Sequence, residues 1–313
     1  MDDSELYDAI VIGGGPAGMT AAMYLARAKY KVAIIEKLVA GGQIRTTSEV
    51  ANYPGTGRIT GIKLTDEMEQ QCREFGVIFI SDEALSMDID NEIKTVKSKL
   101  REYRTLAIII ATGTRPRKIG FEGEVAFEGR GISYCATCDG RLYEGKSVFV
   151  IGGGYTAAEE GVYLARYARK VTMLIREDEF TCAAKVADKA IDNPKIEIHF
   201  NTQVERVDGK EVVNSITYVD DKTGMKTTYY EKNGNIGVFV FAGYEAATSL
   251  ARDKVEVSKQ NYIMTDEDGR TSVEGIFAAG DVRCKTLRQV TTAVGDGANV
   301  AATVEKYLKE KSK

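Results

Sequence analysis

The sequence predicts an α/β protein in which one local pattern occurs twice. An apolar run at residues 8–12 precedes a glycine-rich segment at 13–18, then a predicted helix at 19–28 and a second apolar run at 32–35. The same order of strand, glycine turn, helix and strand returns from residue 147. The 313 residues are enough for about two domains. These observations predict two Rossmann-like dinucleotide-binding domains.

The first glycine turn has the form G-x-G-x-x-G and is followed by an acid at the end of the second strand. Gly13 permits a tight turn, Gly15 lets backbone amides approach a pyrophosphate, and Gly18 lets helix and strand pack closely. The helix N-terminus presents free N–H groups to the phosphates. Glu36 can accept hydrogen bonds from a ribose diol. This segment therefore predicts a dinucleotide site.

The second glycine turn has the form G-x-G-x-x-A and begins at Gly152, which is 139 positions after Gly13. A strand is predicted at 147–151, a helix at 158–167 and a strand at 171–175. One dinucleotide module in each half implies two nucleotides, and two nucleotides imply that electrons pass between them.

Other segments are assigned from their local pattern. They are buried strands at 107–113 and 275–281, an antiparallel hairpin formed by runs 215–219 and 225–230, a strand-like run at 196–200, a last helix at 298–308 opened by Gly295-Asp296-Gly297, and a frayed charged tail at 309–313.

A C-x-x-C motif lies just before the second glycine turn. Cys135 and Cys138 can close a small disulfide ring and exchange it with another disulfide. A zinc site would need a second such pair or several histidines, so we expect no metal. Asp139 adjoins the pair and is the candidate general acid for a leaving thiolate, with helix capping as the alternative role. The remaining cysteines (Cys72, Cys182 and Cys284) are isolated and are interpreted as small packing residues.

Composition argues against several classes of protein. The net charge of −4 gives no basic surplus, so we expect no nucleic-acid binding. No apolar run approaches the roughly 20 residues that span a bilayer, and the acidic residues 1–5 do not form a secretory signal. We therefore expect a cytoplasmic protein without membrane contact. A single histidine, His199, argues against a Ser-His-Asp triad.

With these motifs combined, the chain resembles the low-molecular-weight flavoprotein thioredoxin reductases over nearly its whole length. The motifs that carry the resemblance are the two glycine turns, Gly41-Gly42-Gln43, Asn52-Tyr53-Pro54-Gly55, Ala111-Thr112-Gly113, Cys135-Ala136-Thr137-Cys138-Asp139, Gly280-Asp281 and Arg288-Gln289-Val290. The resemblance implies two three-layer ββα domains, with the nicotinamide domain (118–242) inserted into a split FAD domain (1–117 and 243–313).

The resemblance also implies the cofactors and the residues that contact them. FAD is expected at Gly13, Gly15, Pro16, Ala17, Gly18, Glu36, Gly42, Gln43, Asn52, Ala111, Thr112, Gly113, Gly280, Asp281, Arg288, Gln289 and Val290. NADH or NADPH is expected at Gly152, Gly154, Tyr155, Thr156, Ala157, Glu159, Arg176 and Glu177. A homodimer, a large domain rotation and thioredoxin or a thioredoxin-like protein as partner are implied as well. Cys138 is expected nearest the flavin, and Cys135 is expected to attack thioredoxin.

The sequence departs from the family where NADPH-dependent members carry the basic cluster H-R-R-x-x-x-R. Here Arg176 is kept, but Glu177, Asp178 and Glu179 follow it. Carboxylates repel a 2′-phosphate, whereas one of them can accept a ribose 2′-hydroxyl, so we expect NADH to be favoured over NADPH. Ala246-Ala247 replaces a Pro-Asn pair in the segment that joins the two expected domains.

Other functions remain open from the sequence alone. Tyr155 is bulkier than usual and could cover the nicotinamide pocket, which leaves a ferredoxin- or deazaflavin-dependent thioredoxin reductase as an alternative. A glutaredoxin-like or peroxiredoxin partner would serve equally well as acceptor. A flavin-bound sensor that uses the dithiol as a switch is a further class.

Overall fold

A computed structural model describes residues 6–47, 50–232 and 234–311. The acidic segment 1–5 and the last two residues of the predicted tail lie outside this description. In chain order the strands are β1 Leu6–Ile12, β2 Val32–Glu36, β3 Ile78–Ser81, β4 Ala84–Asp88, β5 Lys94–Ser98, β6 Glu102–Ile110, β7 Thr114–Pro116, β8 Ile132–Ser133, β9 Ser147–Ile151, β10 Lys170–Leu174, β11 Ile196–His199, β12 Thr202–Gly209, β13 Val213–Asp220, β14 Lys226–Tyr230, β15 Gly237–Val240, β16 Tyr244–Ala246 and β17 Ile276–Ala278.

The helices are fewer than the strands, and in the sequence most of them connect one parallel strand to the next. They are α1 Pro16–Arg27, α2 Gly61–Glu74, α3 Ala136–Asp139, α4 Tyr155–Leu164, α5 Ala184–Ile191 and α6 Val290–Lys311, with short 3-10 turns at Gly42–Thr46, Gly140–Tyr143 and Gly280–Val282. None of the described helices combines the length and apolar composition needed to cross a bilayer.

The chain divides into two compact units. One contains Met1–Arg115 and Glu245–Lys313, and the other contains Pro116–Tyr244. The chain passes from one unit to the other after Arg115 and after Tyr244, whereas the boundaries expected from the sequence follow residues 117 and 242. β7 and β16 pair as a two-stranded sheet where the chain passes between the units. Ala246 is buried there, and the backbone N–H of Ala247 donates to the carbonyl of Gly113 at 3.0 Å.

The discontinuous unit is built on the long strand β6, which pairs along one edge with two different strands. Its first half pairs antiparallel with β5, and its second half pairs parallel with β17. On its other side β6 pairs with β1, and the sheet continues through β2 to β3. Apolar residues of α1, α2 and α6 pack on one face of the parallel strands, and the β4–β5 hairpin with residues 250–263 packs on the other. Three layers result, as expected.

The continuous unit repeats this architecture. Its five strands run in the order β11-β10-β9-β15-β8, and every pair is parallel. A cluster with residues of α3, α4 and α5 covers one face, and the antiparallel sheet β12-β13-β14 covers the other. In parallel sheets the loops at the carboxyl ends of the strands form the ligand edge. Both glycine turns lie at such an edge.

Several predicted elements have different limits in the structure: α1 is Pro16–Arg27 rather than 19–28, β6 is Glu102–Ile110 rather than 107–113, and β17 is Ile276–Ala278 rather than 275–281. α6 begins at Val290, eight residues before the predicted start, and continues through Lys311, so residues 309–311 belong to a helix. Gly295 and Gly297 lie inside this helix. A Cβ on Gly297 would lie 2.3 Å from the carbonyl oxygen of Ala17, so this glycine permits the close crossing of α1 and α6. α4 begins at Tyr155, directly after the glycine turn, rather than at residue 158.

Candidate functional site

The first glycine turn is built for close approach of the backbone to a ligand. Gly13 has φ of 109°, and a Cβ there would lie 2.4 Å from the carbonyl oxygen of Ala111. A Cβ on Gly18 would lie 2.0 Å from the carbonyl oxygen of Gly13. A Cβ on Gly15, by contrast, would make only one ordinary van der Waals contact, with Gly42 Cα at 3.9 Å. Gly15 is the N-cap of α1 and has no side-chain cap, so the first-turn N–H groups are available to an anion.

Glu36 lies where the sequence predicted a ribose acceptor. It ends β2, and its carboxylate accepts hydrogen bonds from the backbone N–H groups of Gly14 at 2.8 Å and Leu38 at 3.0 Å. An ionised carboxylate has further lone pairs beyond these two contacts. The side chain is therefore fixed in place and still able to accept a hydroxyl.

The loops that follow other strands of the same unit converge on this turn. Gln43 Nε2 donates to the Thr114 side chain at 2.7 Å. Asn52 Nδ2 donates to Gln289 Oε1 at 2.9 Å, which joins segments 237 residues apart. Thr112 Oγ1 donates to the carbonyl of Ala247 at 2.7 Å. The structure thus places these predicted residues at one edge of one unit.

Asp281 follows β17 and lies beside the start of α1. A Cβ on Gly280 would approach Ala17 Cβ to 2.7 Å, so the Gly280–Asp281 turn packs on the first turn of that helix. Asp281 Oδ1 is buried and has no hydrogen-bond partner among the described residues. Arg288 donates to the Asp281 carbonyl at 3.4 Å, and its guanidinium lies 3.9 Å from the centre of the Tyr262 ring.

Two residues of this region were missed by sequence reasoning. Lys285 Nζ lies 2.9 Å from Asp296 Oδ2 and 3.9 Å from Asp281 Oδ1. Asp296 was noticed only as part of a predicted helix start. No local motif marks Lys285: Asp281 lies four residues before it, but the nearer partner, Asp296, lies in a helix that the sequence analysis began too late.

The second glycine turn has the same construction in the continuous unit. Gly152 has φ of 131°, and a Cβ there would lie 2.4 Å from the carbonyl oxygen of Phe241. Gly154 is the uncapped N-cap of α4. Tyr155 begins that helix and is 54% exposed, whereas Ala157 is buried. The N–H of Thr181 donates to the carbonyl of Gly153 at 2.9 Å, so the loop after β10 lies along the turn.

That loop contains the remaining arginine of the expected basic cluster. The Arg176 guanidinium donates to Glu177 Oε1 through Nε at 3.1 Å and through a terminal nitrogen at 2.7 Å. This hydrogen bond is the main reason that the pKa of the Glu177 carboxyl lies below its usual range. Arg176 is therefore already paired with a carboxylate that stays ionised at neutral pH.

Glu159 and Glu160 follow on α4 and differ in burial. Glu159 is exposed, whereas Glu160 is half-buried, and its Oε2 has no hydrogen-bond partner among the described residues. Burial, and secondarily the charge of Glu159, raises the pKa of the Glu160 carboxyl to about 7. Glu160 was not predicted as a site residue.

The C-x-x-C pair forms a disulfide in the continuous unit. Cys135 is the N-cap of α3, and its Sγ accepts the backbone N–H of Cys138 at 3.1 Å. Cys138 is exposed and Cys135 is half-buried. Asp139 ends α3, and its side chain makes no capping hydrogen bond to the 3-10 turn that follows. The alternative role in helix capping therefore has no supporting contact at this turn. The charge of Asp139 adds to burial in raising the pKa of Tyr143.

The isolated cysteines have different surroundings. Cys72 is buried and donates to the carbonyl of Met19 at 3.2 Å, and burial raises its pKa to about 12. Cys284 is exposed, so its interpretation as a packing residue was wrong. In the part of the chain that the structure describes, no group of three or more His, Cys, Asp or Glu side chains is arranged to hold a metal ion.

Two nucleotide-type turns together with a C-x-x-C disulfide define a nucleotide-dependent disulfide oxidoreductase. The chain belongs to the pyridine nucleotide-disulphide oxidoreductase family, which matches residues 7–297. It is 46% identical to a thioredoxin reductase of Peptoclostridium acidaminophilum, over 97% of each chain. It is 40% identical to a thioredoxin reductase of Bacillus subtilis, over 99% of this chain and 97% of that one.

A solved structure extends the likeness to three dimensions. The thioredoxin reductase of Lactococcus lactis, described as the FR conformation, is 37% identical and covers 97% of this chain and 99% of its own, with a TM-score of 0.90. Both the expected family and the expected fold are confirmed.

Membership of this family implies FAD and NAD(P)H as cofactors. The residues at the first glycine turn fit FAD. Gly15 lies at the start of α1 without a side chain, the first N–H groups of α1 have no side-chain cap, and Asp281 has a buried oxygen without a hydrogen-bond partner among the described residues. A pyrophosphate matches the first two features and a ligand hydroxyl matches the third.

Proposed function

We propose that this protein is an FAD-dependent disulfide reductase that takes electrons from a nicotinamide dinucleotide and delivers them to thioredoxin or a thioredoxin-like protein. The Cys135–Cys138 disulfide, carried on one of two dinucleotide-type units, is the observation that supports this most strongly. FAD, when bound, supplies a two-electron carrier between nicotinamide and disulfide.

Within this function the two cysteines have unequal roles. The N–H of Cys138 points at Cys135 Sγ, and after reduction it stabilises a thiolate on Cys135. That thiolate attacks one sulfur of the partner disulfide, and the other partner sulfur leaves as a thiolate that takes up a proton. Cys138 then attacks Cys135 Sγ, releases the second partner thiol and restores the Cys135–Cys138 disulfide. Asp139, the acid next in sequence, is proposed to donate the proton that the Cys138 sulfur needs when the disulfide is first reduced.

We propose NADH as the favoured donor. A 2′-phosphate would meet the ionised Glu177 and the adjacent Asp178, whereas Arg176 is already engaged by Glu177. The 2′-hydroxyl of NADH is instead a hydrogen-bond donor that Glu177 can accept. The cytoplasmic location and the homodimer are proposed from the family resemblance alone.

The test is steady-state reduction of a thioredoxin disulfide by the purified holoprotein. NADH, NADPH and reduced ferredoxin are supplied separately, and thiols on thioredoxin are counted. We expect turnover with NADH and a smaller efficiency with NADPH. Turnover with ferredoxin alone would contradict the nicotinamide donor, and reduction of a glutaredoxin-like protein or peroxiredoxin in preference to thioredoxin would contradict the acceptor.

A further inference from the structure

Asp296 organises the turn that carries Asp281. It lies within α6, two turns from the helix start, and its Oδ2 accepts the backbone N–H of Gly280 at 3.0 Å. The same oxygen lies 2.9 Å from Lys285 Nζ, and Oδ1 lies 3.3 Å from an Arg283 guanidinium nitrogen. One carboxylate thus connects the start of the Gly280–Val282 turn with both cations that follow it.

Lys285 is held between two carboxylates at this position. Its side chain is only 12% exposed, and its ammonium contacts Asp296 at 2.9 Å and Asp281 Oδ1 at 3.9 Å. A nearly buried ammonium needs such pairing, because desolvation of an unpaired charge is costly. The second distance is longer than a hydrogen bond, so Asp281 Oδ1 remains available as an acceptor while it lies beside a positive charge.

The charge state of Asp281 depends on these neighbours. Burial raises the pKa of its carboxyl, the charge of Asp296 raises it further, and Lys285 and Arg288 lower it. The Arg288 guanidinium stacks on Tyr262, whereas the Lys285 ammonium lies 3.9 Å from Asp281 Oδ1. An ionised carboxylate is a stronger acceptor for a ligand hydroxyl than a protonated one.

We propose that Lys285, anchored by Asp296, is a positioning residue that holds the Asp281 carboxylate charged and oriented to accept a hydroxyl of FAD. The inference rests on the proposed FAD-dependent function. In this proposal Lys285 does not touch the cofactor and acts on it through Asp281. Lys285 therefore contributes to FAD affinity when Asp281 is an aspartate and contributes little when residue 281 cannot be charged.

The test is a double-mutant cycle on FAD binding by the full-length chain. Lys285→Met is made in the native sequence and in the Asp281→Asn background, and the FAD dissociation constant is measured at pH 7 from quenching of flavin fluorescence. Loss of one charge-assisted contact is expected to weaken FAD roughly tenfold in the native background. In the Asp281→Asn background the further loss is expected to stay below about threefold. Lys285→Arg, which keeps the charge, is expected to retain most of the affinity.

The control variant is Lys309→Met, which removes an exposed lysine whose ion-pair partner is Glu305 on the same helix. If Lys285→Met fails to fold, Lys285→Gln keeps an N–H donor for Asp296 without the charge and gives the same comparison. Unchanged FAD affinity in the Lys285 variant, or equal weakening in both backgrounds, would overturn the inference. Failure of the unmutated chain to bind FAD at all would instead contradict the proposed function, so the two failures are distinguishable.

Discussion

The backbone N–H of Cys138 donates a hydrogen bond to Cys135 Sγ at 3.1 Å. Cys135 is the N-cap and Cys138 is the third residue of the short helix α3, so the sequence spacing itself sets this contact. A donor aimed at one sulfur lowers the energy of a thiolate there more than on its partner. The two cysteines are therefore chemically unequal although only two residues separate them.

Replacing the attacking sulfur should separate the two half-reactions. In Cys135→Ser we expect loss of thioredoxin reduction, because no disulfide can form, with flavin reduction by nicotinamide preserved. Stopped-flow flavin absorbance and a thiol assay check the two halves. Cys284→Ser, which changes an exposed cysteine of the other unit, is the control and should keep both activities. Continued thioredoxin turnover by Cys135→Ser would refute the assigned role.

Replacing Asp139 should slow only the step in which the Cys135–Cys138 disulfide is reduced. Asp139→Asn is expected to slow electron transfer from reduced flavin to the disulfide by roughly 100-fold, the usual lower range for loss of a general acid. The nicotinamide phase should keep its rate. Rapid-mixing absorbance resolves the two phases, with Glu144→Gln, an exposed acid five residues later, as control. An equal slowing of both phases would show that Asp139 acts on structure instead.

Donor preference should follow Glu177. Glu177→Arg frees Arg176 and adds a second guanidinium, so we expect the ratio of kcat/KM for NADPH over NADH to rise roughly tenfold or more. Steady-state kinetics with both donors measures the ratio. Glu179→Arg makes the same change of charge in the same loop without releasing Arg176. A ratio that rises equally in both variants would mean that net charge, rather than the Arg176–Glu177 pair, selects the donor.

Two glycines of α6 should respond oppositely to alanine. A Cβ on Gly297 would lie 2.3 Å from the Ala17 carbonyl oxygen, so Gly297→Ala is expected to destabilise the protein by about 1–3 kcal/mol. Gly295 has no neighbour within 4 Å of that position, so Gly295→Ala should be neutral or stabilising by up to about 1 kcal/mol. Denaturant unfolding measures both. Equal effects would contradict the close crossing of α1 and α6.

The Glu160 carboxyl should make stability depend on pH. Its pKa of about 7 lies above the ordinary 4.5, so the folded state binds more protons than the unfolded state between these values. The free energy of unfolding therefore falls as pH rises through this window. The difference in free energy of unfolding between Glu160→Gln and the parent protein should shift by ~2 kcal/mol in favour of the variant when the pH is raised from 5 to 8. Glu159→Gln, its exposed neighbour, should keep most of the pH dependence. A flat difference for Glu160→Gln would refute the raised pKa.

Local patterns predicted the units that carry the cofactor turns. The strand predicted at 147–151 is β9 with the same limits, and the hairpin around residues 220–224 is β13–β14. The start of α6 was missed because a glycine in a sequence usually indicates the end of a helix. Gly297 instead lies inside α6, where it permits close contact with α1. The Lys285–Asp296 pair was missed because it depends on tertiary packing that no spacing in the sequence records.

A single anaerobic experiment tests the central claim, that electrons pass from nicotinamide through FAD and the Cys135–Cys138 disulfide to thioredoxin. The holoprotein is mixed with NADH or NADPH while flavin absorbance is followed, and oxidised thioredoxin is added afterwards. We predict flavin bleaching, faster with NADH, followed by recovery of flavin absorbance as two thiols appear on each thioredoxin. Flavin that dithionite reduces but neither nucleotide does, or bleached flavin that thioredoxin leaves bleached, would contradict the account.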